Sequence, residues 1–139
     1  MAKQTNLYIT SEINGFGLYI ENGDGTGYQT LYTASAEDAI VKSIMATSSD
    51  TAAMNVVLAV NDGVNDHIIG TVNVPIAAGT NGSTAAVDLL SASMMPGLPV
   101  DQYGKRILPM KNGHILKAAV LVAVTAAKAV HIFGVVEEY

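Results

Sequence analysis

Apolar and polar residues alternate in short runs along this chain, and clusters of glycine, asparagine, aspartate and serine separate the runs. Successive side chains of a β-strand point to opposite faces, so such alternation indicates strands with one buried face. About seven runs occur, a number typical of a sandwich. The pattern predicts an all-β fold: an antiparallel β-sandwich, jelly-roll or immunoglobulin-like, of about seven to eight strands with one short helix and an extended N-terminal arm.

The clearest strands lie in the middle of the chain. Residues 54–61 alternate, with Met54 and its period-two partners on one face and Asn55 and its partners on the other. Asp62 and Gly63 begin a turn, and a second run continues until Pro75, which indicates a hairpin. The strands expected on this basis, including a second, C-terminal hairpin that turns at 125–128, are 28–33, 38–47, 54–61, 67–74, 106–110, 114–124 and 129–136.

The C-terminal hairpin is apolar on both of its faces. Leu116 and Val120 lie on one side of its first strand, and Ile115 and Leu121 lie on the other. Such a strand is expected to be central in a larger stack or to lie under a neighbouring subunit.

Other segments are expected to be loops, apart from one helix. Glycines make 14–27 loop-rich around the short run 18–20, and 77–84 forms another loop. Residues 87–95 are the helix candidate, because Asp88 can cap a first turn and Pro96 stops the helix. We divide the chain into an N-terminal arm and Gly-rich region, 1–33, and a sandwich domain, 34–139.

Composition favours a protein that binds other proteins. Only 6% of residues are aromatic and 14% are charged, against roughly 25% charged in an average soluble domain. A net charge of −5 without a lysine or arginine run disfavours nucleic-acid binding. Apolar runs are too short to span a bilayer, so no membrane association is expected. Small apolar residues predominate, which favours burial against a partner, as in a homo-oligomer.

Catalytic and metal-binding signatures are missing from the sequence. There is no G-x-S-x-G, no phosphate-binding loop, no H-E-x-x-H and no cysteine. Histidines 67, 114 and 131 have no zinc-type spacing. We therefore predict that the chain is not an enzyme and needs neither a cofactor nor a metal. The turn between Asp62 and Asp66 carries oxygen ligands, but the EF-hand spacing and its closing glutamate are missing, so a solvated hairpin turn is favoured over a structural calcium site.

A proline-rich connector, 94–116, precedes the most apolar stretch. Proline fixes φ and lacks an N–H group, so Pro96, Pro99 and Pro109 stiffen it. The connector either presents apolar side chains to another protein or packs over one end of the sandwich.

Residues 40–134 resemble small virion proteins of tailed bacteriophages and prophages. The similarity lies in a hairpin ending in G-T-V-x-V-P, a V-D-L-L connector running on to M-x-P-G-L-P, an L-P strand, and A-V-T-A at 123–126. The resemblance implies a capsid decoration, or cement, protein made in the host bacterial cytoplasm and located in the virion. Its implied partners are the major capsid protein and copies of itself, for example as a trimer.

Two surfaces are the expected contacts with the capsid. The arm would pair as a strand, and the connector would supply rigid apolar anchors. The residues proposed on this basis are Leu7, Tyr8, Ile9, Met95, Leu98 and Tyr103. The alternative function is a receptor- or carbohydrate-binding module of a phage particle, for which the candidate aromatic residues are Tyr19, Tyr28 and Tyr32.

Overall fold

A computed structural model describes residues 11–35 and 38–139. These residues form two antiparallel sheets that pack face to face around one apolar core. The strands are β1 (Glu12–Glu21), β2 (Gln29–Thr33), β3 (Ala39–Ser48), β4 (Met54–Asn61), β5 (Asp66–Val74), β6 (Val87–Asp88), β7 (Leu108–Met110), β8 (Ile115–Val120) and β9 (Ala129–Glu138).

The strand order is that of a jelly roll. One sheet runs β1-β9-β3-β6, with β7 also on β3, and the other runs β2-β8-β4-β5. Apart from the short β7, the strands pair from the two ends of the chain inward: β1 with β9, β2 with β8, β3 with β6, and β4 with β5. A long hairpin rolled up into two sheets gives this pairing. The all-β sandwich expected from the sequence is confirmed.

The middle of the chain folds as predicted. The strands expected at 28–33, 38–47, 54–61 and 67–74 correspond to β2, β3, β4 and β5, and β4 and β5 form the expected hairpin. The N-terminal arm lies outside the described residues.

The predicted loop over 14–27 is wrong for its first half. The ten residues of β1 all pair with β9, glycines included. A Cβ atom on Gly15 would lie 2.8 Å from Cζ of Phe133, so that ring occupies the space that a side chain would take. Pairing along the whole of β9 outweighs the low strand propensity of glycine.

The predicted helix at 87–95 is also wrong. The backbone N–H of Leu89 donates to the carbonyl of Ile44 at 2.8 Å, which continues the pairing of β6 with β3. Asp88 accepts the N–H of Leu90 at 3.0 Å, as a cap would, but only an isolated turn follows. Pairing with β3 thus prevails over the local helix signal.

The predicted C-terminal hairpin is wrong as well, because its two strands lie in different sheets. β8 pairs with β2 and β4, whereas β9 pairs with β1 and β3. Residues 121–128 cross between the sheets, and Leu121 and Val122, expected inside a strand, are exposed there. Alternation identifies a strand but does not select its partner.

The proline-rich connector closes the open side of the sandwich next to β5. Met95 is only 3% exposed, and a Cβ atom on Gly70 of β5 would lie 2.6 Å from its Cγ. Leu98 packs against the same core, and its carbonyl accepts a hydrogen bond from Arg106. The connector therefore serves at least the second of the two roles that its sequence left open.

A buried polar cluster ties the β3–β4 connection to the crossover 121–128. The Asp50 carboxylate accepts hydrogen bonds from the N–H and the hydroxyl of Thr125, both at 2.8 Å, and from the N–H of Ala52 at 3.0 Å. Burial alone would raise the pKa of Asp50, but these hydrogen bonds outweigh it and hold the pKa below its ordinary value of 3.8.

We predict that Gly134→Ala destabilises the fold by about 2 kcal/mol, the cost typical of overpacking a core. A Cβ atom there would lie 2.3 Å from Cζ of Phe16 and 2.8 Å from the backbone oxygen of Ser43. Gly17→Ala is the matched control, since its Cβ would meet nothing closer than 3.5 Å. Urea unfolding measures both variants, and equal losses of stability would contradict the packing described here.

We predict that Asp50→Asn lowers the free energy of unfolding by about 2 kcal/mol at neutral pH, because hydrogen bonds to a charged acceptor are lost. A carboxyl with a depressed pKa in the folded state stabilises fully above its unfolded pKa, and this stabilisation is lost as the pH falls through the folded pKa. The difference between wild type and variant should therefore shrink below pH 3.8. Urea unfolding at several pH values tests this, and a pH-independent difference would refute it.

Candidate functional site

The five-stranded sheet leaves one face open to solvent, and that face is largely apolar. In β9 the inward residues Val130, Ile132 and Val136 are buried, whereas the alternate residues point outward. We call this surface the outer face and define it by six residues: Ile13, Tyr19, Met45, His131, Phe133 and Val135. Roughly half of the side chain is exposed in Tyr19 (55%), Met45 (48%) and Phe133 (49%).

Strand register brings the outer-face residues together. Phe133 lies opposite Gly17 of β1 and Met45 of β3. Tyr19 lies opposite His131, and their rings stack with centroids 5.6 Å apart at 24°. Because Gly15 and Gly17 have no side chains, the ring of Phe133 extends over β1 and stays accessible. Exposed aromatic and methionine side chains of this kind are enriched in protein interfaces.

Two shallow depressions flank Phe133, each of about 280 Å³. The first, here called the β1-side pocket, lies between Tyr19, His131 and Phe133. The second, the β6-side pocket, has Phe133 and Met45 on one side and Lys105 on its rim. The remaining residues of the β6-side pocket are Ser43, Ile44, Ala86, Val87, Asp88 and Val135. Each depression is large enough to take a side chain from a partner.

Charges lie at the margins of the outer face. Lys105 contacts Asp88 at 2.9 Å, and Lys42 contacts Glu137 at 3.6 Å. The hydroxyl of Tyr139 donates to Glu137 at 2.8 Å, and this hydrogen bond is the largest cause of the lowered pKa of Glu137. These pairs are partly solvated, so they contribute little energy to the fold.

A tight hairpin stands beside the β6-side pocket. Val100 and Arg106 pair across it, and Tyr103 projects from its tip with 84% of its surface exposed. The Asp101 carboxylate accepts the N–H groups of Tyr103 at 2.8 Å and Lys105 at 3.0 Å. The backbone bond from Lys105, followed by that from Tyr103, lowers the pKa of Asp101. These hydrogen bonds fix the backbone of the turn that carries Tyr103.

The contact residues proposed from the sequence do not lie together on one surface of the described structure. Leu7, Tyr8 and Ile9 lie outside the described residues. Met95 and Leu98 pack into the core, so Met95 in particular offers little surface to a partner. Tyr103 is exposed next to the β6-side pocket, and its role in a contact stays a prediction.

The C-terminal hairpin was expected to be central or to lie under a neighbouring subunit, but of the outer-face residues only Tyr19 was named as a candidate for binding. The signal available was a strand, 129–136, in which both alternating rows contain apolar residues. If the opposite row is assigned to the core, the row that contains Phe133 and Val135 is predicted to lie on the surface. Met45 and Tyr19 become neighbours of Phe133 only through strand pairing, which the sequence does not display.

The three tyrosines proposed for carbohydrate binding do not form one platform. Tyr19 lies on the outer face, whereas the ring of Tyr32 packs against Phe16 with centroids 5.3 Å apart. The Tyr32 hydroxyl donates to Glu138, and its pKa is raised, mainly by burial and then by this hydrogen bond.

Protein donors already satisfy the carboxylates of the Asp62–Asp66 turn. Asp62 accepts the N–H groups of Val64 at 2.9 Å and Asn65 at 2.8 Å and contacts His67 at 2.8 Å. Asp66 pairs with Lys117 at 3.1 Å. Within residues 11–35 and 38–139, no group of three or more potential metal-ligating side chains is assembled. The arrangement is that of a hydrogen-bonded turn.

No helix in the described part of the chain is long and apolar enough to span a membrane. No protein-family model and no curated protein matches the sequence. Among solved structures, the chain is similar to one in a structure described as the acid-stable capsid of Helicobacter pylori bacteriophage KHP30. The two share 12% identity over 96% of this chain and 90% of the other, with a TM-score of 0.45. A similarity this low assigns neither a family nor a function.

Proposed function

We propose that this protein is a structural component of a bacteriophage virion that binds the assembled capsid and stabilises it, as a decoration protein does. The exposed aromatic and methionine residues of the outer face are the observation that carries the proposal. We infer that the protein works by burying this surface against other proteins and performs no bond-making chemistry.

The phage setting rests on the sequence resemblance over residues 40–134. Parts of that resemblance coincide with structural features: G-T-V-x-V-P ends β5, and M-x-P-G-L-P closes the open side of the sandwich. The jelly-roll order is compatible with this setting, since viral capsid domains use it, but so do lectins and cupins. Fold analogy alone does not assign a function, so the surface chemistry has to supply the specific argument.

Stabilisation of a shell would follow from binding linkage. A ligand that binds only the assembled shell stabilises it by RT ln(1 + [L]/Kd), and every occupied site adds its own contribution. A modest affinity at each site is therefore enough when sites are numerous.

The N-terminal arm is proposed to add a second contact next to the outer face. Glu12 begins β1, and among the described strands β1 pairs only with β9, so its other edge is open for pairing. We propose that Leu7, Tyr8 and Ile9 pair as a strand with a capsid subunit. The arm and the outer face would then bind the same neighbouring subunit. Binding at one contact would raise the effective concentration for binding at the other.

The test is association with particles of the phage that encodes this chain. Particles lacking the chain are incubated with wild type, with Tyr19→Ser, or with a variant lacking residues 1–10, and bound copies are counted by mass spectrometry after gradient sedimentation. We expect wild type to co-sediment and both variants to bind roughly tenfold or more weakly, the effect of losing an interface anchor.

Val64→Ser is the matched control, because Val64 is 83% exposed at the tip of the β4–β5 hairpin, away from the outer face. It should bind like wild type, and all variants should keep the thermal midpoint of wild type within a few degrees. Wild-type protein that stays out of the particle fraction would overturn the proposal. Wild-type binding by the shortened variant would remove the arm from it.

A further inference from the structure

Tyr103 and the β6-side pocket are neighbours on one surface. Lys105 connects them, since it lies two positions after Tyr103 in the hairpin and also lines the pocket. Its Nζ contacts Asp88 of β6 at 2.9 Å, which holds the hairpin next to the sheet. The charge of Lys42 on β3 also contributes to the lowered pKa of Asp101, consistent with this position of the hairpin.

The hairpin is preorganised to present an aromatic side chain. The Asp101 carboxylate fixes two backbone N–H groups, the N–H of Asp101 donates to the carbonyl of Lys105 at 2.9 Å, and Gly104 adopts a φ of 80° at the turn. A turn that is already ordered loses little conformational entropy when it binds. Tyr103 therefore has the properties of an interface anchor: an aromatic ring, high exposure and a rigid base.

The β6-side pocket has the complementary properties. Its apolar lining, which includes Met45, Phe133 and Val135, surrounds about 280 Å³ that is open to solvent. A fully buried aromatic side chain removes roughly 150–250 Å² from water, and a shallow site of this kind takes up part of that area. Methionine in the lining adapts to the shape of a ring and makes favourable sulfur–aromatic contacts.

We propose that Tyr103 of one copy of this protein inserts into the β6-side pocket of a second copy, in a two-fold dimer. Because anchor and pocket lie side by side, a single two-fold rotation inserts both tyrosines at once, as an isologous interface requires.

Charge also favours a second copy as the occupant. The chain as a whole carries −5, so two copies repel each other at most relative orientations. This surface, however, presents both signs, with Lys105 and Asp88 on the pocket rim and Asp101 in the hairpin. In a two-fold contact, Lys105 of each copy can face a carboxylate of the other copy, which helps to fix the orientation of the contact.

The first test uses thiol crosslinking, for which the natural chain offers no background because it contains no cysteine. The variant Gln102→Cys keeps Tyr103 and Met45 and places a single thiol beside the anchor, so a short bismaleimide can join only two different copies. We expect a crosslinked dimer as the main product at concentrations where dimers form. The control Val122→Cys places its single thiol on the 121–128 crossover and should stay monomeric under the same conditions.

The second test is sedimentation equilibrium of the unmodified full chain. Wild type and Tyr19→Ser should sediment with twice the mass of one chain, and Tyr103→Ser should dissociate with a constant at least roughly tenfold higher. A monomeric or trimeric wild type, or an unchanged dimer in Tyr103→Ser, would overturn the proposal. Sedimentation is run without particles, so it is read separately from capsid binding; the dimer contact uses the β6-side part of the outer face, whereas Tyr19 lines the β1-side pocket.

Discussion

Strand β9 places one apolar row inside the protein and a second apolar row outside it, and the rest of the structure depends on this division. Its inward residues meet the opposite sheet in the core, and Gly134 leaves room there for the ring of Phe16. Its outward residues, Phe133 and Val135, lie between β1 and β3 with no layer over them among the described elements. One strand thus supplies both the folding core and the candidate contact surface.

Magnitudes indicate that apolar burial would dominate any contact made by the outer face. A fully buried aromatic side chain removes roughly 150–250 Å² from water. Covering the exposed half of Tyr19 or Phe133 is therefore worth about 2–3 kcal/mol each at ~25 cal/mol per Å². The exposed pairs Lys105–Asp88 and Lys42–Glu137 contribute far less, because water screens them. In such a contact the apolar residues would supply the affinity, and the charges would select the orientation.

Sequence patterning predicted the strands whose alternation and turns are local, such as β4, β5 and the hairpin between them. It failed where partners distant in the chain decide the outcome. β1 forms although it contains Gly15 and Gly17, because β9 pairs along its whole length. β8 and β9 are both strands as expected, yet they join different sheets, since strand propensity does not encode pairing.

The candidate site shows the same limit. The connector was expected to offer Met95 and Leu98 to a partner, but Gly70 opens a space in the core that Met95 fills. An apolar side chain on a stiff loop looks the same in the sequence whether it packs inward or outward. Tyr103 differs because the Asp101 turn directs it away from the core, and the hydrogen bonds of that turn are local in sequence.

Methionine oxidation in intact virions tests most directly whether other proteins cover the outer face. Met45 on that face and Met94 on the connector are similarly exposed in a single chain, at 48% and 55%, so a mild oxidant should modify them at comparable rates in unassembled, monomeric protein. In the particle, we expect Met45 to be protected while Met94 still reacts. Equal oxidation of both methionines in the particle would contradict the account, because the outer face would then be as open to solvent in the assembly as it is in the isolated chain.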